Sequence, residues 1–110
     1  LMGAPNIVRG GSHSGNVAAA ELARQGYLDI LSSDYYPSSL LDAAFRLAAL
    51  DNDYDLPAAI RTVSHTPARC AGLGDRGLIS PGKRADLVRV RAKGSCPLIR
   101  QVWKRGERVF

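Results

Sequence analysis

Two short stretches carry the residue types that could do chemistry. One is L-S-S-D-Y, residues 31–35, in which Asp34 follows an apolar run and precedes Tyr35, Tyr36 and Pro37. The other is R-G-G-S-H-S-G-N, residues 9–16, which sets Arg9, Ser12, His13 and Ser14 in a glycine-rich turn. A carboxylate can take a proton from an attacking water. A loop that opens a helix offers free backbone N–H groups to an anion, and an arginine beside it can grip phosphate oxygens with two parallel N–H bonds. The loop is not a P-loop, because the lysine and Ser/Thr of that motif are missing.

Each of these residues has a plainer use as well. Asp34 can cap the helix that follows, although Ser38 and Ser39 already supply caps. His13 reads equally as an exposed histidine in a polar loop. His65, between Ser64 and Thr66, reads as a turn residue rather than a metal ligand, and Tyr35 and Tyr36 as rim packing. One Asp and one His do not define a hydrolase, since a catalytic zinc needs three or four ligands.

The elements that must position these residues follow from patterning. Residues 5–9 are short and partly β-branched and read as a strand. Residues 16–25 place Val17, Ala20, Leu22 and Ala23 at helical spacing, with Asn16 as N-cap and Gly26 as stop. Residues 27–32 read as a second strand. Strand, helix, strand is a βαβ unit with parallel strands, so residues 10–13 and 32–35 open on one face, where α/β proteins collect their ligands. A helix over 39–50 follows, with Ser39 and Asp42 in capping-box form. A shorter helix begins near Pro57, and a third is capped at Thr66 and ends at Gly72. From Gly77 strand signals take over: Ile79, the turn at Pro81-Gly82, the alternating run 86–91, and a hairpin of 99–104 with 107–110 around Arg105-Gly106.

Length and composition set the bounds. At 110 residues, 45% hydrophobic and 23% charged, the chain is one small globular unit or a piece of a larger one. No run approaches the ~20 apolar residues of a membrane span, and nothing resembles a signal peptide, so no membrane partner is expected. Cys70 and Cys96 form neither a zinc motif nor a disulfide framework, which suits a reducing cytoplasm. The net charge of +5 gathers in the last third of the chain, where it alternates with apolar residues. That alternation describes a solvated strand face, so no nucleic-acid partner is expected.

The segments G-A-P-N-I-V-R-G-G-S-H-S-G-N (3–16), D-I-L-S-S-D-Y (29–35), T-P-A-R (66–69) and G-L-I-S-P-G-K-R-A-D-L-V-R-V (77–90) resemble the C-terminal part of the amidohydrolase superfamily. Its members are distorted (β/α)8 barrels with a small β-sandwich built from both chain ends. The resemblance implies an α/β chain comprising the last two βα units of a distorted (β/α)8 barrel, residues 1–76, plus C-terminal strands of a small β-sandwich, residues 77–110. Strand seven would lie at 6–10 and strand eight at 29–34.

The resemblance also implies that Asp34, at the end of strand eight, is the general acid/base that accepts a proton from metal-bound water. In a complete enzyme Asp34 would also touch a divalent metal, zinc by analogy. The loops at 9–16 and 31–35 point, within the superfamily, to metal-dependent diphosphatases of phosphonate breakdown. The implied reaction cleaves a triphosphorylated ribosyl phosphonate to its 5-phosphate and pyrophosphate. Loop position assigns Arg9, Ser12, His13, Ser14, Ser33 and Tyr35 to contact with that substrate.

The superfamily's His-x-His and further metal ligands would fall upstream of residue 1. The 110-residue chain alone is therefore expected to be inactive and metal-free. Unpaired barrel strands are expected to drive homo-oligomer formation. Two other readings stay open: another amidohydrolase, such as a deaminase or cyclic-amide hydrolase, or a non-catalytic basic module that binds an anionic partner.

Overall fold

The computed structural model describes residues 1–10, 18–50 and 54–110. Among these, the chain is a mixed α/β structure with one parallel and one antiparallel sheet. The parallel pair is β1 (Met2–Gly3) and β2 (Leu31–Ser32), with Met2 opposite Leu31 and Gly3 opposite Ser32. The parallel pairing matches the βαβ reading, but both strands are much shorter than the patterning suggests.

The expected strand at 6–10 is not one. Residues Ala4–Arg9 form helix α1. Pro5 explains the reversal: its fixed φ and missing N–H suit the first turn of a helix, where that N–H would have no partner. Gly10 ends α1 in the left-handed region at φ 77°, and its N–H returns to the Asn6 carbonyl. Ile7, whose β-branch suggested a strand, is buried as a helix residue.

Helix α2 spans Ala19–Arg24, within the expected 16–25. Asn16, the expected N-cap, lies outside the described residues. Asn6 supplies a cap from α1 instead, its Oδ1 accepting the Ala19 N–H at 2.8 Å. Most of the expected second strand, 27–30, is not strand, although the Ile30 carbonyl accepts the Met2 N–H of β1 at 2.9 Å. Leu28 and Leu31 are nevertheless buried, and the Tyr54 hydroxyl donates to the Leu28 carbonyl.

Helix α3 (Ser39–Ala49) agrees with the apolar spacing, but the capping box does not form. Ser39 already lies inside the helix, and its hydroxyl donates to the Tyr36 carbonyl at 2.6 Å, while Asp42 pairs with Arg46 at 3.0 Å. Helix α4 (Leu56–Arg61) has Asp55 as its cap, accepting the Ala58 N–H at 2.9 Å. Helix α5 (His65–Cys70) starts one residue before Thr66, so Thr66 is not its cap.

The core gathers α1, α2, α3, α4 and β2: Ala4, Ile7, Ala19, Ala23, Leu28, Leu31, Ala43, Leu47 and Ala59. Its alanines let backbones approach closely. Leu47, fully buried, is among its largest members, and burying such a side chain is worth roughly 1.5–3 kcal/mol.

The antiparallel sheet has the order β3 (Leu87–Lys93), β4 (Cys96–Lys104), β5 (Glu107–Arg108). The expected strand at Ile79 is absent; that residue is exposed outside the sheet. The hairpin around Arg105-Gly106 is present, with φ of 53° and 85° at the two turn residues. Among the described residues no helix is long and apolar enough to cross a membrane.

Candidate active site

Three local features place Asp34. Parallel pairing brings the carboxyl ends of β1 and β2 side by side, so the residues after Gly3 and Ser32 open on one face. The chain turns immediately beyond β2, the Tyr36 N–H donating to the Ser33 carbonyl at 3.1 Å. Inside that turn Asp34 adopts φ 51°. The left-handed region costs an ordinary L-residue roughly 1–2 kcal/mol, and aspartate is among the few that enter it routinely.

The third feature is Gly3. A Cβ built there would stand 2.7 Å from Asp34 Oδ2 and 3.1 Å from Asp34 Cβ. The exposed Asp34 carboxylate thus lies over the end of β1 in space that only glycine leaves free. Nothing in the pattern of residues 1–5 distinguishes this glycine from an ordinary turn residue. Its role appears only once β1 and β2 are paired.

Arg9 ends α1 and reaches the same loop: its Nη1 donates to the Tyr35 hydroxyl at 2.9 Å. Two residues named on loop position are therefore joined directly. Ser33 is half-buried and enters through its backbone carbonyl. Ser12, His13 and Ser14 lie outside the described residues. His65 is the first residue of α5, not a turn residue.

The arrangement offers a carboxylate able to exchange a proton and, from the next residue of the same turn, a phenol bonded to a guanidinium, groups able to hold an anionic oxygen. Among the described residues no group of three or more His, Cys, Asp or Glu is placed to hold a metal ion. Asp34 could give one ligand, so these residues do not by themselves fit a catalytic metal.

The chain is similar along its whole length to the alpha-D-ribose 1-methylphosphonate 5-triphosphate diphosphatase of Escherichia coli (strain K12), at 62% identity, and covers 29% of that protein. It is 32% identical to an adenine deaminase of Methylobacterium sp. (strain 4-46) over 87% of its own length and 18% of the deaminase. It thus spans less than a third of either relative. The crystal structure of an amidohydrolase from Thermotoga maritima MSB8 superimposes with a TM-score of 0.63 and 27% identity, over 83% of this chain and 25% of that one. Strand ends, carboxylate and turn therefore sit in a fold matching part of an amidohydrolase. With the amidohydrolase family model matching residues 3–110, the chain belongs to that family.

Proposed function

We propose that these residues form one part of the active site of a diphosphatase that hydrolyses alpha-D-ribose 1-methylphosphonate 5-triphosphate to the 5-phosphate and pyrophosphate. The observation that carries this is the Asp34 carboxylate seated at the carboxyl ends of two parallel strands, in a chain 62% identical throughout to such an enzyme. Water adds its oxygen to phosphorus, Asp34 takes the proton, and the bond between the first and second phosphoryl groups breaks. Arg9 and Tyr35 contact phosphate oxygens, together with Ser33 and the loop residues Ser12, His13 and Ser14.

On this reading residues 1–76 are the last two βα units of a (β/α)8 barrel, and residues 77–110 are a share of a β-sandwich. A divalent metal of the kind implied for the family, zinc by analogy, would need ligands in addition to Asp34, since the described residues hold no group of them. The exposed free thiols of Cys70 and Cys96 suit a cytoplasmic setting.

The test is a chimera in which these 110 residues replace the matching segment of the E. coli enzyme. Pyrophosphate release, followed by phosphorus NMR, is the expected result. Deamination of adenine without pyrophosphate release would transfer the chain to the deaminase branch and defeat the proposal.

A further inference from the structure

Part of the charge in the last third of the chain gathers on one exposed face of the antiparallel sheet. Alternation puts Arg89 and Arg91 on one face of β3, and register puts Gln101 opposite Arg89. Arg108 is opposite Trp103, two residues from Gln101, and so shares that face. Pairing shifts between Arg89 and Val90, whose partners are Gln101 and Ile99, and leaves Arg100 as the extra residue of a β-bulge. Such a bulge re-aims the side chain it carries, here toward the same face.

Arg89, Arg91, Arg100, Gln101 and Arg108 consequently line one groove of about 390 Å³. No Asp or Glu side chain lines it. Two of the guanidinium groups are oriented in advance: Arg89 Nη1 donates to Gln101 Oε1 at 3.0 Å, and Arg108 Nε donates to the Phe110 carbonyl at 3.1 Å. Each bond uses one of five N–H donors and leaves the others for a ligand. Among the described residues the side chains of Arg91 and Arg100 make no hydrogen bond or ion pair.

We propose that this groove binds a small oligophosphate anion of two or three linked phosphoryl groups. Planar guanidinium groups match phosphate oxygens in pairs, and clustered positive charge of this size calls for a multiply charged ligand. The lining also argues against a macromolecule. Leu98 and Trp103 share this face by register, but neither lines the groove, so no aromatic side chain within it stacks a nucleic-acid base and no apolar one anchors a peptide. The inference does not depend on the role of Asp34, because no residue of the parallel-strand loops lines the groove.

The experiment is titration calorimetry of the 110-residue chain with inorganic pyrophosphate and tripolyphosphate at physiological ionic strength. Saturable binding is expected. The double variant Arg91→Gln/Arg100→Gln should weaken it roughly tenfold or more, as expected for losing charged hydrogen bonds. Arg91→Lys/Arg100→Lys keeps the charge but loses the fork, and should weaken binding by a smaller factor. Lys104→Gln removes the same charge from the opposite face and should leave binding within about twofold, since an exposed charge acts weakly at a distance. Far-UV circular dichroism checks that each variant folds. Absence of saturable binding, binding indifferent to the arginine variants, or displacement of pyrophosphate by a tighter-binding single-stranded oligonucleotide would each overturn the proposal.

Discussion

The Asp34 carboxylate fills the space that a side chain on residue 3 would need, with Oδ2 only 2.7 Å from where a Gly3 Cβ would stand. The backbone of Gly3 is itself ordinary, at φ −73° and ψ 131°, so alanine is sterically excluded by Asp34 and not by conformation. Gly3→Ala in the chimera should therefore swing the carboxylate aside while leaving the fold intact. A displacement near 1 Å can lower a rate about a hundredfold, and a loss of that order in kcat is expected. The check is kcat beside thermal unfolding. Unchanged kcat would mean that the Asp34 position does not matter.

How much of this was legible in the sequence differs by element. Helix α3 and the hairpin at Arg105-Gly106 were legible because apolar spacing and turn residues act locally. The first strand is not legible because two paired residues show no alternation, and because Ile7 and Val8 favour a strand where Pro5 starts a helix. Asp55 before Leu56-Pro57 is a readable cap signal. The Asn6 cap on α2 and the Gly3–Asp34 fit connect residues 13 and 31 positions apart, and only folding brings them together. Asp34 is a candidate through the motif that carries the resemblance, whereas nothing in the sequence signals its left-handed backbone.

Arg9 and Tyr35 link α1 to the turn after β2 across one hydrogen bond. If they hold substrate phosphate, Arg9→Ala in the chimera should raise KM more than it lowers kcat, by roughly tenfold for a lost charged hydrogen bond. Tyr35→Phe should have the same sign and a smaller size. Steady-state kinetics with both variants decides; a loss confined to kcat would contradict a binding role.

Asp86 holds the start of β3 to the hairpin turn. It accepts the Arg105 N–H at 2.9 Å and pairs with Arg84 at 2.7 Å. The Arg105 N–H chiefly, then the arginines, hold its carboxyl below the ordinary 3.8 despite partial desolvation. The unfolded chain therefore binds this proton more readily than the folded one, so stability rises with pH. The contribution is complete above 3.8 and is lost as pH falls through the lower folded value. An NMR titration of the Asp86 carboxyl and Arg105 amide should show a midpoint below 3.8, and a midpoint above it would contradict the pairing.

The parallel sheet has two short strands among the described residues, and the antiparallel sheet exposes Val88 and Ile99 on its other face. Open strand edges and uncovered apolar side chains favour self-association. We expect the 110-residue chain to run as a dimer or larger species in sedimentation velocity at micromolar concentrations. A monomer throughout would contradict this expectation.

The central claim is that Asp34 moves the proton, and the most direct test is pyrophosphate release by the chimera with Asp34→Asn. Asparagine keeps the shape and removes the base, so a rate loss of roughly 10²–10⁴-fold is expected. Thermal unfolding and substrate affinity should change little. Turnover within a few fold of the unmodified chimera would contradict the claim and assign the proton to another group.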